Sequence, residues 1–173
     1  MSDQDNASHH HVYLGLGSNL GDRDAHLAAA IEALAPFVTV EHISSVYDTA
    51  PLHYTDQPRF HNLVCMGETT LPPLALLHEV KEIERCLGRQ AGPRYGPRVI
   101  DIDLLLYDQL ILQSPELTIP HPRLAERAFV LAPLAEIAPT LAHPVLGETM
   151  ATLLERLAES DVQRVGPLPR FGR

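Results

Sequence analysis

Arg94-Tyr95-Gly96-Pro97-Arg98-Val99-Ile100-Asp101-Ile102-Asp103-Leu104-Leu105-Leu106-Tyr107 is the stretch on which the fold turns. From Val99 aliphatic residues hold one parity and acids the other, a period of two that reads as a strand with Ile100, Ile102, Leu104 and Leu106 toward the core. Asp101 and Asp103 then share the opposite face, with Cα atoms about 6.6 Å apart at a rise of about 3.3 Å per residue. Two carboxylates so placed can coordinate one metal ion or hold a pair. The plainer reading is the solvated face of a half-exposed strand. Against it stands the cost of desolvating two like charges among aliphatic neighbours, which a cation relieves. Arg94 and Arg98 flank the rigid Gly96-Pro97 bend and bring guanidinium groups to the mouth of the strand. Carboxylates and arginines together suit a polyphosphate carrying divalent cations.

Immediately before this strand, Pro72-Pro73 opens a helix with Leu76, Val80, Ile83 and Leu87 on one stripe and Gly88 as its cap. Glu84 and Arg89 fall at its end, and Gln90-Ala91-Gly92-Pro93 predicts a mobile loop from which Arg89 and Arg94 close over a ligand. After the strand come a turn at Asp108-Gln109 and a short returning strand, Leu110 to Leu112. His121 follows between two prolines, in the company of Arg123 and Arg127, where a structural and a functional histidine are equally in keeping with the pattern. Helices are expected over Phe129 to Ala138 and around Met150, Leu153, Leu154 and Leu157, with a loose Pro/Gly-rich tail.

Toward the N-terminus, Val12 to Gly17 alternates as a first strand and ends in Gly17-Ser18-Asn19-Leu20-Gly21-Asp22. The glycine spacing fits neither the dinucleotide fingerprint nor a P-loop. It leaves a strand-to-helix turn in which Asp22 caps a helix carrying Leu27, Ile31 and Leu34 and ending at Pro36. Val38 to Tyr47 reads as a second strand, Asp48 to Pro58 as a loop, and Phe60 to Glu68 as a third strand. There Asn62 is the odd polar residue; such an amide satisfies backbone or reads a ring with its own amide edge.

The order strand, helix, strand, strand, helix, strand is the split βαβ arrangement of an α+β fold, a ferredoxin-like βαββαβ sandwich, with an added hairpin strand and C-terminal helices. One domain is expected over residues 11–160, between a disordered extension at 1–10, which includes most of the run His9-His10-His11, and a loose tail at 161–173. With 173 residues and 45% hydrophobic content there is ample core for one domain. The opening Met1-Ser2-Asp3-Gln4-Asp5-Asn6 is polar and acidic, and no apolar run reaches membrane-spanning length, so the expected address is the cytoplasm, with no membrane partner. Cys65 and Cys86 show no metal or redox spacing.

A net charge of −9 and 5% aromatic residues weigh against a nucleic-acid surface. Yet 12 of the 13 basic residues are arginine, and Arg85, Arg89, Arg94 and Arg98 cluster, which favours a small anionic ligand. On the residues alone three readings stand: a phosphotransferase, a metal-dependent phosphohydrolase using the same carboxylates, and a non-catalytic ferredoxin-like binding module for RNA.

Five stretches occur in the order of one known family: Gly15-Leu16-Gly17-Ser18-Asn19-Leu20-Gly21; Gln57-Pro58-x-Phe60-x-Asn62; Ile83-Glu84-x-x-Leu87-Gly88-Arg89; Gly96-Pro97-Arg98-x-x-Asp101-x-Asp103-Leu104; and Pro120-His121-x-x-x-x-x-Arg127-x-Phe129. From Tyr13 to Pro139 the chain resembles the 6-hydroxymethyl-7,8-dihydropterin pyrophosphokinases of folate synthesis. The resemblance implies transfer of the β,γ-diphosphate of ATP to the pterin hydroxymethyl oxygen, with release of AMP; the expected partners are these small molecules, and the expected state is a monomer. It implies two Mg²⁺ ions on Asp101 and Asp103, which with Arg89 and Arg98 form the catalytic set. Nucleotide contacts fall to Glu84, Arg89, Arg98, Ile100, His121 and Arg127. Pterin contacts fall to Thr49, Ala50, Leu52, Asn62 and Asp101, with Phe60 and Phe129 sandwiching the ring, and the mobile loop carries Gln90, Arg94 and Tyr95. The chain departs from the family at Gln90-Ala91, where many members carry an arginine, at Glu116, where some do, and at Tyr95, where tryptophan is frequent.

Overall fold

A computed structural model describes residues 7–52, 55–89, 97–158 and 160–169. In chain order it has β1 (His10–Ser18), α1 (Arg23–Leu34), β2 (Thr39–Ile43), β3 (Val46–Thr49), β4 (Phe60–Thr69), α2 (Pro73–Cys86) and β5 (Asp101–Tyr107). These are followed by β6 (Leu112–Gln113), β7 (Thr118–Ile119), a 3-10 turn at Leu124–Glu126, α3 (Ala128–Ile137), α4 (Met150–Glu155) and β8 (Val162–Gly166). The main sheet runs β5-β1-β4-β3-β8 with β2 also on β4, and every pair is antiparallel. Taking β2 and β3 as one strand, the order is that of the ferredoxin-like fold, as the α+β pattern requires.

Helix α1 begins where Asp22 accepts a hydrogen bond from Ala25 N–H at 3.1 Å, and it buries Leu27, Ile31 and Leu34. Helix α2 has Pro73 at its first turn, needs no side-chain cap, and buries Leu76, Val80 and Ile83. Both pack on one sheet face, against Leu14, Leu16, Leu63, Cys65, Ile102 and Leu104. The C-terminal helices α3 and α4 cover the other face, against Tyr13, Val64 and Leu106. A sheet buried on both faces explains why β5 is apolar at both parities beyond Asp103. No helix among the described residues is long and apolar enough to cross a membrane.

The structure departs from the sequence reading at five places. Leu106 does not follow Leu104: the register with β1 shifts between Tyr13 and Leu14, leaving Leu105 without an opposite partner, and Leu105 and Leu106 both turn to the α3/α4 side. The single strand read over Val38 to Tyr47 breaks at Ser44-Ser45, where Ser44 Oγ accepts from Val64 N–H at 2.9 Å and Glu136 takes both Ser45 N–H and its hydroxyl. The returning strand at Leu110 to Leu112 does not pair with β5; β6 starts at Leu112 and pairs with β7 instead. His10 and His11 belong to β1, with His10 stacked on Tyr107 at 4.8 Å and bonded to Asp108 at 2.7 Å, so the extension read as disordered through residue 10 gives way to strand there. The tail from residue 161 carries the edge strand β8, paired with β3. Its residues show little alternation, and Val165 is 58% exposed, so periodicity could not announce it.

Candidate active site

Strands β1 and β3 end, and β4 and β5 begin, at one edge of the sheet. Register aligns Asp101, Gly17 and Asn62 in a row across β5, β1 and β4, with Asp103, Gly15 and Val64 in a second row. The two glycines leave a trough between the carboxylates and the amide. A Cβ at Gly17 would lie 2.4 Å from Asn62 Oδ1. Here the absent side chain makes room for Asn62, whose Nδ2 donates to Thr49 Oγ1 at 2.7 Å. Gly17→Ala is therefore expected to displace the amide and raise KM for the ring substrate about tenfold or more, one to two hydrogen bonds' worth. Steady-state kinetics against both substrates checks this, and an unchanged KM would contradict it.

Above the trough a cavity of about 350 Å³ is lined by Thr49, Ala50, Leu52, Phe60, Asn62, Arg98, Asp101, Asp103, His121, Arg123, Arg127 and Phe129, and the strand order sets Asp101 and Asp103 on β5 apart from Asn62 on β4 and Thr49 on β3. Of the six residues assigned to the nucleotide, Arg98, His121 and Arg127 line this cavity, and Glu84, Arg89 and Ile100 do not. Ile100 is wholly buried in the core, and Glu84, 2% exposed, lies behind the site. The Glu84 carboxylate accepts from Arg89 Nη1 and, at 3.3 Å, from Ile102 N–H, so it anchors the arginine to the start of β5. Arg89 Nη1 also donates to Asp101 Oδ1 at 3.0 Å, and Arg98 Nη1 lies 3.2 Å from the same oxygen. Gln90, Arg94 and Tyr95 fall outside the described residues. Glu116 pairs with His78 at 3.2 Å in an exposed position.

Arg98 is positioned by a residue that sequence reasoning noted only as part of a motif. Asn19, 1% exposed, takes Arg98 N–H on its Oδ1 at 2.7 Å, and its backbone N–H donates to Arg98 O at 3.1 Å. Its Nδ2 donates to Gln57 and to Pro58 O, joining three segments at one amide. Gly15 and Gly17 share one strand parity, opposite Leu14 and Leu16, and that was the available signal for a trough. Arg123 and Arg127 stand at the cavity with no carboxylate in ion-pair range among the described residues. Arg127 lies over the Phe129 ring at 5.6 Å.

Burial, and next the Asp101 charge, push the Asp103 carboxyl up to about 6. Two carboxylates fit a hard divalent cation. No cluster of three or more His, Cys, Asp or Glu among the described residues could cage one, so the remaining ligands would come from substrate oxygens and water. Burial, and next Arg127, push His121 down to about 4, leaving a neutral imidazole at physiological pH. Its Nδ1 accepts from Arg123 N–H at 3.2 Å, which puts the proton on Nε2 as a donor. The ligand-free His121 imidazole should titrate near pH 4 by NMR; a midpoint near 6.5 would contradict this burial.

Paired carboxylates and arginines at the strand ends of a ferredoxin-like sheet, beside Phe60, Phe129 and Asn62, are the parts that phosphoryl-transfer sites use. The family described as 7,8-dihydro-6-hydroxymethylpterin-pyrophosphokinase matches residues 13–139, and the chain belongs to it. It is 47% identical over 156 residues to the 2-amino-4-hydroxy-6-hydroxymethyldihydropteridine pyrophosphokinase of Methylorubrum extorquens, covering 89% of this chain and 98% of that protein. The Bacillus subtilis enzyme of the same name is 46% identical over 128 residues, covering 73% and 77%. The Folic acid synthesis protein fol1 of Pneumocystis carinii is 43% identical over 157 residues, covering 90% of this chain, which spans only 21% of that longer protein. Among solved structures, Plasmodium falciparum HPPK-DHPS with pteroate shares the fold with a TM-score of 0.73 at 16% identity, covering 93% of this chain and 47% of that one.

Proposed function

We propose that this chain transfers the β,γ-diphosphate of ATP to the hydroxymethyl oxygen of 6-hydroxymethyl-7,8-dihydropterin, releasing AMP. The observation that carries the reading is one cavity whose lining brings two chemistries together. Thr49, Asn62, Phe60 and Phe129 suit a flat ring with an amide edge, and Asp101, Asp103, Arg98, Arg123 and Arg127 suit metal-bound phosphates.

In this reading Phe60 and Phe129 stack the pterin, Asn62 and the Thr49–Leu52 segment read its edge, and Asp101 borders both substrates. Two Mg²⁺ ions held by Asp101 and Asp103 would neutralise phosphate charge and bring the reacting groups together. Arg98, paired with Asp101 in the ligand-free protein, is then free to turn to the phosphates, and Arg89, still anchored by Glu84, offers them its remaining N–H groups. Arg127 adds a fixed cation, and His121 donates its Nε2 proton to a phosphate oxygen. Diphosphate transfer asks mainly for in-line placement and charge stabilisation, and these residues provide both. We place the enzyme in the cytoplasm as a monomer.

The test is nucleotide product analysis with MgATP, with and without the pterin. AMP formed in step with pterin consumption is the expected result. ADP, or ATP hydrolysis indifferent to the pterin, would return the site to a phosphohydrolase.

A further inference from the structure

The Ala50–Leu52 segment is a thin wall. One side lines the active-site cavity, and the other lines a second cavity of about 350 Å³ bounded by Ala128, Leu157, Asp161 and Val162. A stretch with space on both sides has little packing to fix it. It is tied by a hydrogen bond from Ala50 N–H to Asp161 O at 3.1 Å. Arg59 in turn grips Asp161, its Nη1 and Nη2 meeting the two carboxylate oxygens at 2.6 and 2.8 Å, fork to fork. The Nε of the same guanidinium donates to Asp48 Oδ1, and Arg23 Nη1 donates to Arg59 O at 2.9 Å.

A lone surface ion pair contributes little, and the Asp161 side chain is 54% exposed. Here, however, one planar guanidinium engages two carboxylates with all three nitrogens, which fixes direction as well as proximity. Asp48 precedes Thr49 and Arg59 precedes Phe60, so the clamp sits one residue from two ring-facing side chains. Asp161 lies beyond the residues that match the family.

We propose that Arg59 and Asp161 are positioning residues that hold the Ala50–Leu52 wall against Phe60 and Asn62, setting affinity for the ring substrate without touching it. The proposal rests on the reading of this cavity as the pterin pocket. Arg59→Ala and Asp161→Ala each raise KM for the pterin about tenfold, as expected for loss of one or two positioned hydrogen bonds. In both variants KM for ATP and kcat stay within about twofold and the melting temperature within about 2 °C, as for other exposed sites. Arg59→Lys recovers part of the loss, and the double alanine variant is no worse than the poorer single one.

Asn62→Ala run alongside separates the two ways of failing. If it raises the pterin KM while the Arg59 and Asp161 variants do not, the clamp is refuted and the pocket stands. If Asn62→Ala has no effect either, the pocket reading falls and takes the clamp with it. A parallel rise in KM for ATP, or a large drop in melting temperature, would make the contacts merely structural and overturn the proposal.

Discussion

Asp103→Asn should lower turnover about a thousandfold, the scale of removing a charge-stabilising group at the reacting centre, while making the metal-free protein more stable. An ordinary aspartate titrates near 3.8, and burial together with Asp101 pushes Asp103 up to about 6. Between those values Asp103 binds more protons in the folded, metal-free protein than in the unfolded chain. Its contribution to stability therefore falls as pH rises from about 4 to about 6 and levels off above, while the depressed His121 adds an opposite slope that parent and variant share. Fully expressed, the difference is at most about 3 kcal/mol at neutral pH. Asparagine carries no charge to desolvate, so in chelator at pH 7 the variant should melt several degrees higher, at about 2–4 °C per kcal/mol. Near pH 4 the two proteins should melt alike. Melting curves in EDTA from pH 4 to 8, beside steady-state rates with Mg²⁺, check both halves. A variant that keeps near-normal turnover would contradict the metal assignment, and identical pH profiles of stability would contradict the buried charge.

Arg89→Ala should lose activity and stability together, and adding Glu84→Gln should restore only stability. The Glu84 side chain is 3% exposed, with Arg89 as its close cationic partner and the Lys81 ammonium 3.9 Å away. Removing the guanidinium strands a buried carboxylate, which costs about 3–5 kcal/mol, or roughly 10 °C in melting temperature for a domain of this size. Glutamine at position 84 removes the charge and keeps an acceptor for Ile102 N–H. The double variant should therefore melt within a few degrees of the parent and remain inactive, because Asp101 and the phosphates have still lost an arginine. If the double variant regained activity, Arg89 would be a structural counterion alone. If the single variant melted normally, the buried pair would not matter to the fold.

The carboxylate strand was legible because its period of two is strict over Ile100 to Leu104, and the bulge at Leu105 escaped because nothing in a run of leucines marks a change of face. Ser44-Ser45 ends one strand and starts another through hydroxyl bonds to Val64 and Glu136, contacts whose partners lie far along the chain. The residues of the cavity were readable as types, carboxylate, guanidinium, amide and phenyl, within five motifs. Their support was not: Asn19 acts through three segments, Gly17 acts by what it lacks, and Glu84 faces the core behind the arginine it was grouped with. Strand β8 offered too little periodicity to be seen, yet the residue just before it, Asp161, supplies the carbonyl that ties down Ala50.

The measurement that bears most directly on the account follows the phosphates themselves, with ATP labelled separately at the α, β and γ positions and turned over with the dihydropterin by the parent and by Asp103→Asn. The account predicts that β and γ labels leave together on the pterin and the α label remains in AMP, with the variant giving almost none of either product. Transfer of the γ label alone, or recovery of label as inorganic phosphate, would contradict it.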